Sequence, residues 1–170
     1  MRVNKITYKG TIQNRNESKD LLSNPGDLAI VIRGIPRLVI LRCPCGCGED
    51  LLINLDKRAG PAWRLYLKFK SYTLYPSYWR DAGCNSHFIL WNNRIHWFGR
   101  DNESNEDLAV SKQIEDKILA VLKENKFTHY LELADECELD PWECLQACKQ
   151  LSKKGLCKSK KGKYNEYFKK

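Results

Sequence analysis

The sequence predicts an α+β protein in two parts. A small, mostly antiparallel β domain with a metal site occupies residues 1–100. A linker follows at 101–111, and a compact helical domain closing on a basic hairpin covers 112–170. Three observations lead there. Between residues 27 and 98, apolar side chains come in short runs or alternate with polar ones, the period of strands. From residue 112 the apolar spacing becomes helical. Between two of the early apolar runs, "RCPCGCGE" puts three cysteines into five residues at 43–47.

The strands follow in order. "DLAIVIR" at 27–33 and "RLVILR" at 37–42 flank Gly34-Ile35-Pro36, which reads as a turn. "DLLINL" returns at 50–55, and "WRLYLKFK" at 63–70 alternates apolar and basic side chains, as a strand with one wet face does. His87–Trp91 and Arg94–Phe98 are joined by Asn92-Asn93, and asparagine tolerates the positive φ that a two-residue hairpin turn requires. "DNESNED" at 101–107 has nothing apolar to bury and is read as linker.

Beyond it, Ile114, Ile118, Leu119 and Leu122 recur at helical spacing behind Ser111 as N-cap. A second short helix fits Tyr130–Cys137. A third starts on Asp140 as cap and Pro141 at the first helical position, runs to about Lys153, and stops at Gly155. "LCKSKKGKYNEYF" closes as two short strands about Lys161-Gly162-Lys163. Helix, helix, helix, basic hairpin is the order of a winged helix-turn-helix, and residues 117–168 resemble that family.

No apolar run reaches membrane-spanning length, and "MRVNKITYKG" lacks the apolar core of a signal peptide. The expectation is a cytoplasmic protein with no membrane contact. In a reducing compartment eight cysteines point to metal or catalytic use rather than to disulfides. Cys43, Cys45 and Cys47 sit among Gly46 and Gly48, which let the backbone fold tightly enough for thiolates to converge. Zinc prefers four ligands, mostly Cys and His. "GCNSHF" offers the fourth from Cys84, with His87 as the competing ligand. Cys144 and Cys148 share a helical face with apolar neighbours and read as core.

The net charge of +8 is spread over both halves. In the winged-helix segment Lys158, Lys160, Lys161 and Lys163 form a basic wing, suited to weak phosphate contact or to a partner. The third helix begins with Asp140 and Glu143, and residues 112–170 contain no arginine, the commonest reader of guanine. Protein docking is therefore favoured over DNA.

"LRCPCGCGEDLLINL", "WRL" and "LYPSYWRDAGCNSHFILWNNRIHWF" together resemble a bacterial family encoded beside ubiquitin-like, E1-like and E2-like genes, often in antiviral defence settings. The resemblance covers roughly residues 25–99. It implies zinc binding and a peptidase that trims or deconjugates a ubiquitin-like protein, with that protein and its E1/E2-like enzymes as partners. Serine-type chemistry needs a nucleophile, a base and an orienting group. His87 is the candidate base if the four cysteines fill the metal shell. Ser86 and Ser77 are the candidate nucleophiles, and neighbours on a strand point to opposite faces, so Ser86 suits His87 only in an irregular turn. Glu49 or Asp81 is the candidate orienting carboxylate. The competing expectation is a non-enzymatic zinc-binding winged-helix adaptor or DNA-binding regulator. His96, alternating with Ile95 and Trp97, is expected on the polar face of its strand.

Overall fold

The computed structural model describes residues 1–98, 110–160 and 166–170. The predicted linker segment 101–107 and the predicted turn 161–163, with Lys161 and Lys163, lie outside the described residues. The chain divides into two units, Met1–Glu103 and Ser104–Lys170. Among the described residues, no helix is long and apolar enough to cross a membrane.

The first unit is built of short strands. β1 (Thr7–Ile12), β2 (Asp27–Arg33), β3 (Ile35–Arg42) and β4 (Asp50–Asn54) form a four-stranded sheet in that order, with β1 parallel to β2 and the other pairs antiparallel. The one-turn helix α1 (Ser18–Leu21) lies in the β1–β2 connection. β5 (Arg64–Lys68) and β6 (Ser71–Tyr75) make a hairpin. β7 (Tyr78–Trp79), β8 (His87–Trp91) and β9 (Arg94–Trp97) make a three-stranded antiparallel sheet. The predicted strand at 63–70 ends at Lys68, because Phe69 and Lys70 form the turn to β6. β1 was not legible in the sequence. Its residues are mostly exposed, so they carry no apolar run, and only pairing to β2 makes them a strand.

Alternation along the strands decides what is buried. Leu28 and Ile30 of β2, Val39 and Leu41 of β3, and Leu51 and Ile53 of β4 share one core with Tyr72, Leu74, Phe88, Leu90, Ile95 and Cys43. The intervening Ala29, Val31 and Ile40 face the other way and pack with Ile12 and Leu22. β2 is thus covered on both faces, which is why "DLAIVIR" reads as a continuous apolar run. His96 departs from expectation. Its Nε2 is buried with no hydrogen-bond partner among the described residues, because the outer face of the last sheet carries aromatic rings, with Trp91 5.9 Å away.

The second unit runs α2 (Lys112–Val121), β10 (Thr128–His129), α3 (Tyr130–Glu136), α4 (Pro141–Lys153), β11 (Lys158–Ser159) and β12 (Tyr167–Lys169), with sheet order β10-β12-β11. Asp140 caps α4 by accepting from Trp142 N and Glu143 N, and Pro141 occupies the first turn, as the sequence predicts. Glu115 is 6% exposed and accepts from Lys154 Nζ at 2.6 and 2.8 Å, tying α2 to the end of α4. Cys137, Cys144, Cys148 and Cys157 are all buried. A hydrogen bond with Cys148 and burial push the Cys144 thiol far up, so it stays protonated and acts as a small apolar side chain.

Phe88 is fully buried, with Tyr78 at 5.7 Å and Trp97 at 5.5 Å. Phe88→Ala is expected to destabilise the first unit by about 3–5 kcal/mol, read from the urea midpoint.

Candidate functional site

Two loops meet at the start of β8. The first, between β3 and β4, is a tight knuckle: Gly46 N donates to Cys43 O at 3.1 Å and Cys43 N to Glu49 O at 2.7 Å. Gly46 and Gly48 take φ of +85 and +82, conformations a side chain would resist, and they turn the chain back over three cysteines. Arg42 staples this loop. Its guanidinium donates to Gly48 O and Leu22 O and pairs with Asp50. The second loop, between β7 and β8, is brought alongside by Arg80, which pairs with Glu49 at 3.3 Å and donates to Ala82 O at 2.9 Å.

The result is that Cys43, Cys45, Cys47 and Cys84 place their sulfurs within 4.8 Å of one another. Four thiolates around a zinc ion at about 2.3 Å would stand roughly 3.8 Å apart in a tetrahedron. Cys43 and Cys84 are 3.8 Å apart and Cys43 and Cys45 3.3 Å, so little movement closes the shell. The four cysteines lie close enough to bind a metal ion, and the donor set fits zinc. Burial pushes the Cys43 thiol up. Burial also opposes ionisation of Cys45 and Cys84, but hydrogen bonds from the Ser86 hydroxyl and neighbouring groups outweigh it. Cys45 falls to about 6 and Cys84 below the ordinary thiol value.

What lies beside the cluster follows from the β7–β8 ladder, in which Tyr78 pairs with Phe88 and Trp79 with His87. Side chains on one strand alternate between faces. Ser86, two residues before buried Phe88, points inward; it is 3% exposed, with Oγ 3.1 Å from Cys84 Sγ and 3.6 Å from Cys43 Sγ. His87 points outward. Ser77, two residues before Trp79, lies diagonally across on that same outer face, and His87 Nε2 is 3.3 Å from Ser77 Oγ. Of the two serines, Ser77 is therefore the one beside the imidazole. Trp63 Nε1 donates to Ser77 O at 3.4 Å, holding the serine backbone from the inner side.

Glu49 and Asp81 are placed elsewhere. Glu49 is engaged with Arg80, Asp81 is exposed, and neither hydrogen-bonds His87 among the described residues. The imidazole is instead stacked on Phe98, ring centroids 4.0 Å apart and 18° between planes, with Trp79 at 5.9 Å. Desolvation by burial lowers the His87 pKa, which favours the neutral ring. Sequence reasoning passed over both aromatics as site residues. Their signal was present: Trp79 is two positions from Ser77, and Phe98 follows β9 opposite His87, with Phe98 N donating to His87 O at 2.9 Å.

In the second unit, Lys158 and Lys160 are exposed; Lys160 Nζ lies 5.4 Å from the Tyr167 ring. Among the described residues, the sulfur cluster of the first unit is the one grouping of metal-ligating side chains; Cys137, Cys144, Cys148 and Cys157 form none.

Comparison with curated proteins and with solved structures finds no match for the chain. A family model does match. Residues 14–98, half of the 170-residue chain, contain both cysteine loops, Ser77 and His87, and match the family described as "Bacterial ubiquitination-like system serine protease (BubE)". On that match, which takes in both cysteine loops and the serine–histidine pair, the chain belongs to this bacterial serine protease family.

Proposed function

We propose that this chain is a serine-type peptidase that trims or deconjugates a ubiquitin-like protein, with Ser77 as nucleophile and His87 as general base. The observation that carries it is the 3.3 Å approach of His87 Nε2 to Ser77 Oγ on the outer face of the β7–β8 ladder. A nucleophile and base within hydrogen-bond reach is the minimum the chemistry needs. His87 takes the hydroxyl proton as Oγ attacks the scissile carbonyl. The imidazolium then returns the proton to the departing amine, leaving an acyl ester on Ser77 that water hydrolyses by the same route in reverse. Phe98 does the orienting that a carboxylate does in a triad, by stacking rather than by hydrogen bonding.

Residues 1–100 form the peptidase domain on this reading, with zinc held by Cys43, Cys45, Cys47 and Cys84. When bound, zinc supplies folding energy and no chemistry, since four thiolates leave it no open position. Ser86 then serves the cluster, its hydroxyl donating to thiolates, and His87 is left for proton transfer. Residues 112–170, after a linker at 101–111, form a winged helix-turn-helix. Support comes from the helix–strand–helix–helix–strand–strand order and from β12 lying between β10 and β11. With Asp140 and Glu143 at the start of α4 and no arginine in the segment, this domain docks a pathway protein rather than DNA.

Purified protein is expected to carry one zinc per chain. Substituting Cys43, Cys45, Cys47 or Cys84 by Ser should lower zinc content and stability together, while Cys144→Ser and His87→Ala keep the metal. Metal analysis beside circular dichroism reads both, and full zinc in the Cys84→Ser protein rejects the ligand set.

Incubation with a C-terminally extended ubiquitin-like precursor from its own system tests the reaction. Ser77→Ala and His87→Ala should each lower kcat/KM at least a hundredfold with folding intact, whereas Ser86→Ala, zinc-saturated, stays within a few-fold. Cleavage that survives Ser77→Ala sinks the assignment.

The sign of the pH dependence follows from burial. Only the neutral imidazole accepts the serine proton, and the His87 pKa is lowered, so the ring stays competent to lower pH than an exposed histidine. The acid limb of kcat/KM is expected below the ordinary histidine value; a limb above it contradicts the buried base.

A further inference from the structure

The β5–β6 hairpin ends in a turn that its own residues resist. Phe69 and Lys70 are the two central residues between paired Lys68 and Ser71, and both have positive φ, +48 and +62. Two-residue hairpins favour that hand of turn, but Asn and Gly normally supply it. The neighbouring β8–β9 turn does so with Asn92 and Asn93 at +49 and +65. An aromatic residue there is strained and persists only where its surroundings hold it.

Asn93 does the holding. Its Nδ2 donates to Lys70 O at 3.1 Å, and its Oδ1 accepts from Tyr72 N at 2.8 Å. Its own backbone N–H donates to Tyr72 O at 3.0 Å. The gain is presentation: Phe69 is 94% exposed and Leu67 64% exposed at the end of the hairpin. The stretch of sequence that carries them has charge of one sign. From Lys57 to Arg80 the chain carries six basic side chains and no acidic one.

We propose that this tip is an exosite for the folded body of the protein substrate, with Phe69 and Leu67 entering an apolar pocket whose acidic rim faces Lys70. An apolar anchor inside a charged rim is the anatomy of a protein interface, and a single-sign rim selects a partner of opposite sign. This rests on the Ser77–His87 reading and says how that site finds its substrate. The chain runs directly from the tip through β6 to the nucleophile. Six residues lie between Lys70 and Ser77, so seven residue steps of about 3.3 Å put the two at most about 23 Å apart. A body seated on the tip therefore needs a tail of no more than about seven extended residues to reach the hydroxyl.

The test variant is Phe69→Asn with Lys70→Gly, which installs the favoured turn and is expected to match or exceed the parent's melting temperature. In a Ser77→Ala background, calorimetric titration with the tail-less ubiquitin-like protein of the same system should show binding that the turn variant weakens at least tenfold. In the active background, KM for the full precursor should rise about tenfold, while cleavage of a ten-residue tail peptide is unchanged. Equal affinity in parent and variant, no binding of the tail-less body, or an equal loss on the short peptide overturns the exosite. Co-sedimentation of the parent, but not the variant, with phosphatidylglycerol vesicles in place of protein binding overturns it in favour of a membrane surface. If the parent cleaves nothing, the Ser77–His87 reading fails, and the titration still decides the tip.

Discussion

Four sulfurs converging at the first residues of β8 are the constraint on which the first unit turns. Two loops, one after β3 and one after β7, have no extended ladder between them to hold them together. Arg42 shapes the first loop through Gly48 O, Arg80 joins the second loop to it through Glu49, and the thiols then stand at metal-binding spacing. Such contacts of partly solvated side chains are individually weak. A cation bound by four thiolates is worth far more than any of them, and in small β domains it supplies folding energy directly. Where β8 starts, and so which of its residues face in or out, depends on Cys84 being held there.

From that origin, the alternation of a strand sorts two adjacent residues into different jobs. Ser86 goes in, to the sulfurs; His87 goes out, to Ser77 and two aromatic rings. A one-residue slip of β8 would bury the imidazole and expose the hydroxyl, because a strand's side-chain period is two. The register is fixed from both ends, by Cys84 on one side and by the Asn92-Asn93 turn on the other. Rigid placement matters to the serine–histidine pair, and among the described residues no carboxylate hydrogen-bonds the imidazole, which is held by stacking on Phe98 and by its contact with Ser77. Burial lowers the His87 pKa, which favours the neutral base.

The outer face of the β7–β8–β9 sheet carries exposed aromatic rings beside the imidazole. Trp79 is 66% exposed and Phe98 45%, on either side of the imidazole. Aromatic walls of this kind fit an extended peptide better than a bulky folded surface, which is consistent with a separate anchor for the substrate's body on the hairpin tip. The charge follows the same division, with the acidic Glu49 consumed by Arg80 and no carboxylate between residues 57 and 80.

Some of this was determined by sequence alone. Local rules are enough for α4, whose Asp140, Pro141 and Gly155 mark its ends, for the Asn92-Asn93 turn, and for the buried run of β2. Ligand types at short spacing made the cysteine knuckle legible, with Cys84 expected as the fourth donor and His87 competing for the place, and the fold groups Cys84 with the other three sulfurs. Tertiary structure alone decided which serine meets His87, because that is a cross-strand diagonal between residues ten apart with no local signature. It also decided that Glu49 serves Arg80, that Phe98 serves His87, and that β1 exists at all. Each of those depends on a partner distant in sequence, and a one-dimensional period carries the face a residue takes but not the neighbour it finds there.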